Sequence, residues 1–257
     1  MNQHVPIPSF NLELTVSDRG SGRSCLLLHG GAGPQSMDGL ATALADKERS
    51  VLPTHPGFDG TPRPEGFNSV AQLARAYADL LDRLDLREVV AVGNSFGGWV
   101  GLELALLRPP RLTGVVALNA VGIDPGPDLP PIVDPARTPP AELPGLAFHD
   151  PSLFALRPST PEAAQAQAEN QRALRVYAGE SFMCDPSLAP RLAEVTLPVL
   201  FGWGESDKIV GVDYGRRFAR MVPGARFETI ARAGHFPHIE RRDAVLDLVS
   251  AFRRGLS

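Results

Sequence analysis

Short apolar runs recur along the chain, each followed by a glycine-rich turn and then a longer stretch that mixes apolar and polar residues. The short runs are β-branched or leucine-rich, as strands buried on both faces are, whereas the longer stretches repeat their apolar positions at helical spacing. This pattern predicts strands over 25–28, 89–92, 113–118, 198–203 and 226–230, and helices over 69–84, 97–107, 212–221 and 244–252. Residues 10–16 alternate apolar and polar side chains and read as an edge strand, and a further short strand falls at 51–52. Strands alternating with crossover helices imply an α/β fold with a mainly parallel central sheet and helices on both faces.

Residues 122–190 break this rhythm. Eleven prolines stand between Pro125 and Pro161, followed by a predicted helix over 161–177 with Thr160 as N-cap and Pro161 at its first position. Shorter helices are expected over 151–156 and 186–194. A structureless loop of this size is unusual inside a compact domain, so the segment reads as a helical cap inserted into a core made of residues 1–121 and 191–257.

Composition narrows the partners. With 43% hydrophobic and 21% charged residues, the chain has the make-up of an ordinary globular protein. A net charge of −4 gives no electrostatic reason to expect nucleic acid or an anionic membrane. The first ten residues lack a basic, apolar leader and no long apolar run follows, so the expected location is the cytoplasm. The two cysteines read as free thiols, and the six histidines are too scattered for a metal site; no cofactor or metal is expected.

The chemistry concentrates in four places. Val89 to Val92 run into Gly93-Asn94-Ser95-Phe96-Gly97-Gly98 and then a helical pattern. Such a strand-to-helix turn would hold Ser95 in a strained conformation with Oγ exposed, and Gly93 and Gly97 would leave it room. A serine hydroxyl needs a base within reach and a group that orients the base. Asp207, in Gly204-Glu205-Ser206-Asp207-Lys208, and His235, in Ala233-Gly234-His235-Phe236-Pro237-His238, each follow a predicted strand, and a parallel sheet would deliver both to the edge where Ser95 sits. Glu205, Asp213 and Asp124 are competing acids, and His238 is a competing base. The strand 25–28 ends in His29-Gly30-Gly31-Ala32-Gly33, whose small residues let amides face a ligand. The amide of Gly31, or in its place that of Ala32, would pair with that of Phe96 as an oxyanion hole. These glycines do not make the G-x-G-x-x-G of a dinucleotide site.

Taken in order, HGG at 29–31, GNSFGG at 93–98, GESDKIV at 204–210 and AGHFPHIE at 233–240 resemble the α/β-hydrolase superfamily across nearly the whole chain. The resemblance implies Ser95, Asp207 and His235 as catalytic residues, with the Gly31 and Phe96 amides as the oxyanion hole. Within the superfamily, GNSFGG and HGGAGP are similar to carbon–carbon bond hydrolases, while carboxylesterases and lactonases share most of the pattern. The turn 54–61 departs from the superfamily's D-x-P-G-x-G-x-S, with Thr54 for the aspartate and Asp59 for a glycine. The activity implied is cleavage of a small ester or lactone through an acyl-enzyme. The alternatives are carbon–carbon hydrolysis of a vinylogous diketone, hydroxynitrile-type lyase chemistry, and a non-catalytic ligand receptor. The expected partner is a small-molecule substrate, with Leu153, Phe154, Leu156, Phe182 and Met183 either as a roof over Ser95 or as core packing within the cap. His29 is expected to pack beneath its turn, and His55 to pack or to reach the pocket.

Overall fold

The computed structural model describes residues 2–154, 160–179 and 181–256. Its strands are β1 (Asn2–Ile7), β2 (Leu12–Arg19), β3 (Ser24–Leu28), β4 (Arg49–Pro53), β5 (Val89–Asn94), β6 (Leu112–Leu118), β7 (Val199–Gly204) and β8 (Arg226–Ile230). They form one sheet in the order β1-β2-β4-β3-β5-β6-β7-β8. From β4 to β8 every neighbour pair is parallel, while β1 and β2 are added antiparallel at one side.

That antiparallel ribbon corrects one expectation. The strand placed at 10–16 begins only at Leu12, Phe10 sits in a 3-10 turn packed edge-on against Phe67, and β2 is interior because β1 lies outside it. Pro6 and Pro8 hide β1 from a propensity reading; on an outermost strand, however, Pro6 can face away from the ladder without loss of a hydrogen bond.

The helices are α1 (Asp38–Ala45), α2 (Val70–Arg83), α3 (Phe96–Leu106), α4 (Leu143–Ala147), α5 (Pro151–Phe154), α6 (Pro161–Ala178), α7 (Leu188–Arg191), α8 (Val212–Arg220), α9 (Pro237–Glu240) and α10 (Arg242–Arg254). Strand periodicity assigns them to two layers. Leu26, Leu28, Ala91, Val115, Ala117 and Phe201 pack with α2, α3 and α8, whereas Cys25, Leu27, Val90, Val92, Val116 and Leu200 pack with α1 and α10. Helix α3 is buried from Phe96 to Ala105, which explains an almost uniformly apolar sequence with no polar stripe. Helix α2 starts at a capping box in which Ser69 and Gln72 satisfy each other's backbone amides. No helix among the described residues is long and apolar enough to cross a membrane.

Residues 122–190 leave the sheet after β6 and return before β7. Their two ends meet in a parallel bridge between Gly122 and Cys184, with the Asp185 amide donating to the Gly122 carbonyl at 2.8 Å. Arg191, just beyond, forms a bidentate pair with the buried Glu103 of α3 at 2.7 and 2.8 Å. Within the segment, α6 begins as the sequence predicts, the Thr160 hydroxyl accepting from the Ala163 amide at 3.2 Å and Pro161 occupying its first turn.

Candidate active site

Ser95 joins β5 to α3 with φ +55° and ψ −118°, a backbone that a side-chain-bearing residue adopts only when its surroundings force it. The forcing is local. A Cβ on Gly93 would strike the carbonyl of Gly97, and one on Gly97 would strike the carbonyl of Leu28, so both flanking glycines are required by close backbone approach. The turn sets Ser95 against the β3 loop, where a Cβ on Gly30 would lie 3.2 Å from Ser95 Cβ. The amide of Phe96 opens α3, at its positive end.

The β7 and β8 loops bring Asp207 and His235 together. His235 Nδ1 donates to Asp207 Oδ2 at 2.8 Å, and both residues are buried. Asp207 Oδ1 accepts from the amides of Ile209 at 2.8 Å and Val210 at 3.1 Å, and Oδ2 accepts a second bond, from Asn119 Nδ2, at 2.7 Å. Four donors thus fix the carboxylate in one orientation. With Nδ1 engaged, His235 has Nε2 left for the cavity that it lines together with Ser95. The loop itself is held from below, where Asn94 Nδ2 donates to the His235 carbonyl at 2.9 Å.

The competing residues lie elsewhere. Asp124 caps the Gly126 amide, Asp213 pairs with Arg216, and Glu205 is exposed. His238 is buried away from the Ser95 cavity and lines a separate cleft of about 570 Å³ with Arg242 and Asn170.

The cavity over Ser95 measures about 290 Å³. Gly31, Ala32, Val121, Ile209 and Phe236 line it from the sheet side. Residues 122–190 contribute the rest: Ile132, Val133, Leu143, Pro144, Phe148, Leu174, Phe182 and Met183, with three further small or proline residues and two amides, Gln167 and Gln171. Among the described residues, no Lys, Arg, Asp or Glu lines it.

The roof expected from sequence is therefore half right. Phe182 and Met183 line the cavity, but Leu153 is 73% exposed and Phe154 packs outside it, against the cluster of Ala147, Phe148 and Ile209. Leu143, Pro144 and Ala147 of α4 line the cavity instead, and α5 packs against α4. Leu156 lies outside the described residues. His55 does not line the cavity; it is fully buried behind the β3 turn, its ring tilted against that of His29 with centres 3.8 Å apart.

Residues 25–248 match the alpha/beta hydrolase family. The chain belongs to that family. It is an enzyme of the hydrolase class. It is similar to the 2-hydroxy-6-oxononadienedioate/2-hydroxy-6-oxononatrienedioate hydrolase 1 of Dechloromonas aromatica (strain RCB), 27% identical over 268 residues that cover 94% of this chain and 91% of the relative. It is also similar to the 2-hydroxy-6-oxo-6-phenylhexa-2,4-dienoate hydrolase of Burkholderia cepacia, 28% identical over 260 residues, covering 91% and 88% respectively. Among solved structures, a membrane phospholipase A described as a bacterial virulence factor superposes with a TM-score of 0.82 at 22% identity, covering 100% of this chain and 86% of that one. The last comparison speaks to the fold.

The sequence reading missed four residues at this site: Asn94, Asn119, Asn170 and Gln171. Asn94 and Asn119 tie the loops together, while Asn170 accepts from the Asp59 amide at 2.7 Å and Gln171 donates to the Gly31 carbonyl at 3.3 Å, docking α6 onto the two turns below it. The only signal for Asn119 was its place immediately after β6, at the sheet edge that carries the site.

Burial of histidines gives the fold a pH dependence. Burial pushes His29 down to about 4 and His238 to about 3, the latter with a further push from His235. In the unfolded chain both titrate near 6.5. Because both folded values lie below the unfolded one, the unfolded chain takes up protons first. Stability is fully present above pH ~6.5 and is lost as pH falls toward 4, by about 2–3 kcal/mol for each histidine at pH ~4.5. Denaturant midpoints should therefore drop between pH ~7 and ~4.5, and His238→Phe should drop less steeply; parallel slopes would remove His238 from the account.

Proposed function

We propose that the chain is a serine hydrolase that cleaves a small, uncharged carboxylic ester or lactone. Ser95 attacks the carbonyl as His235 takes its proton, Asp207 holds the imidazole, and the amides of Gly31 and Phe96 receive the oxyanion. Water activated by His235 then releases the acid from the acyl-enzyme. Residues 122–190 act as the cap that encloses the substrate.

The observation that carries this reading is the lining of the cavity. Ser95 and His235 open into an enclosure that is otherwise aliphatic, aromatic or proline, with two neutral amides. Removing an ionised carboxylate from water without a partner is costly, and no cationic side chain among the described lining residues is there to offset it. A neutral acyl group fits such a cavity, which measures about 290 Å³.

Carbon–carbon hydrolysis is the second reading, favoured by the names of the relatives at 27% and 28% identity. Those names describe a dioate and a dienoate, acids that would bring one or two carboxylates into a cavity with no Lys or Arg among its described lining residues. The deciding experiment measures kcat/KM on p-nitrophenyl esters of short to medium chain length and on a vinylogous diketone acid, with a fluorophosphonate probe to report labelling. Efficient ester turnover with labelling, and at least about 100-fold weaker turnover of the diketone acid, is the expected result. The reverse preference would establish the second reading, and a folded protein with neither turnover nor labelling would overturn both.

A further inference from the structure

Behind the candidate oxyanion turn lies a buried polar chain that the chemistry above does not use. His29, His55 and Tyr77 are all fully buried. The backbone amide of His55 donates to His29 Nε2 at 3.0 Å, and His55 Nε2 lies 2.9 Å from the His29 carbonyl. His29 Nδ1 lies 2.8 Å from the Gly30 carbonyl, and His55 Nδ1 is hydrogen-bonded to the Tyr77 hydroxyl.

These partners fix every proton. His29 Nε2 accepts from an N–H, so its hydrogen is on Nδ1 and is donated to the Gly30 carbonyl. His55 Nε2 faces a carbonyl, so its hydrogen is there, and Nδ1 must accept from Tyr77 O–H. Two lines of bonds meet at His29: Tyr77 and the His55 ring hold its backbone carbonyl, while the His55 amide holds its ring, which donates to the Gly30 carbonyl.

The last acceptor is the important one. The Gly30 carbonyl and the Gly31 N–H belong to the same peptide unit, and in a trans peptide they point in opposite directions. A donor fixed on the carbonyl therefore fixes the aim of the N–H, and polarises it through the shared amide. The Gly33 amide adds a second bond to the same carbonyl at 3.1 Å. Burial keeps the pair neutral, holding His55 well below its ordinary value and His29 at about 4, so the proton pattern is stable through neutral pH.

We infer that His29 is a positioning residue that aims and polarises the Gly31 amide at the oxyanion, and that Tyr77 and His55 are positioning residues that act by holding His29 in place. This rests on the proposed reading of Gly31 as an oxyanion donor. It also gives a use to His55 in the turn that departs from the superfamily's pattern.

The test compares wild type with Tyr77→Phe, His55→Gln and His55→Leu. Tyr77→Phe should lower kcat for a p-nitrophenyl ester about 10-fold with KM within about twofold, and should weaken an alkyl boronic acid, which forms the tetrahedral anion on serine, by the same factor. A neutral ketone isostere of the ester that stays trigonal should bind unchanged. Glutamine at 55 retains a donor for the His29 carbonyl and should restore most of the kcat that leucine loses. Equal weakening of both inhibitors, or none, would overturn the relay while leaving the site reading intact; wild type that fails to bind boronate would overturn both. Should the variants not fold, imidazole ¹⁵N shifts of wild type decide: Nδ1–H on His29 and Nε2–H on His55 support the relay, and the opposite tautomers overturn it.

Discussion

Ser95→Ala is expected to lower kcat toward a good ester by about 10⁵- to 10⁶-fold, and to abolish fluorophosphonate labelling. Without Oγ no acyl-enzyme forms, and the remaining rate reflects water attacking a carbonyl held by the oxyanion amides, a residual that in serine hydrolases runs about 10³- to 10⁴-fold above solution. Stability should change little, because the strain at Ser95 resides in its backbone, imposed by Gly93 and Gly97, and alanine inherits it. Thermal unfolding beside burst kinetics checks both halves. A variant that retains more than about a hundredth of wild-type kcat would exclude Ser95 as the nucleophile.

Asp207→Asn should cost about 10⁴-fold in kcat while leaving the fold in place. The reason is written in the donors around the carboxylate. The amides of Ile209 and Val210 both donate to Oδ1, so an asparagine here must keep its oxygen at that position and present its NH₂ where Oδ2 was. That NH₂ meets two former donors, His235 Nδ1 and Asn119 Nδ2. Asn119 can turn its amide only by giving up the bond that its oxygen accepts from the Gly204 amide at 3.3 Å. His235 is then driven to the tautomer with hydrogen on Nε2, which cannot take a proton from Ser95. Kinetics as a function of pH should show the loss throughout the neutral range, with partial recovery at high pH as an alternative deprotonated form appears. Asn119→Asp;Asp207→Asn, which returns a carboxylate one strand over, should recover part of the rate; a single Asp207→Asn variant within about tenfold of wild type would remove Asp207 from the orienting role.

Much of this site could be read from the chain because strand, turn and helix there follow each other within a few residues. Gly93 to Gly98 carry their geometry locally, and the spacing of Asp207 and His235 after β7 and β8 needs only a parallel sheet to bring them to one edge. Asn119 illustrates the opposite case. Its partner is 88 positions away, and nothing in its own neighbourhood distinguishes it from a strand-ending asparagine. The cavity wall was harder still. Leu153 and Leu143 are alike in composition and local setting, yet one faces solvent and the other lines the cavity, because the choice depends on how α4 and α5 stack. The hidden β1 failed for a different reason, since a proline penalty calibrated on central strands does not apply at an outermost one.

Residues 146–150 are bonded to the loops at the sheet edge. The Ala147 carbonyl accepts from the His235 amide at 2.7 Å, and the Leu146 carbonyl accepts from the Lys208 amide at 3.0 Å. Glu240 bonds the amides of His149 and Asp150 with one carboxylate oxygen and that of Gly234 with the other. This stretch is thus fastened by its backbone to the two loops that carry Asp207 and His235. If residues 122–190 set specificity as proposed, a chimera between relatives should place its seam after residue 150, so that residues 146–150 stay with the loops of Asp207 and His235 to which they are bonded.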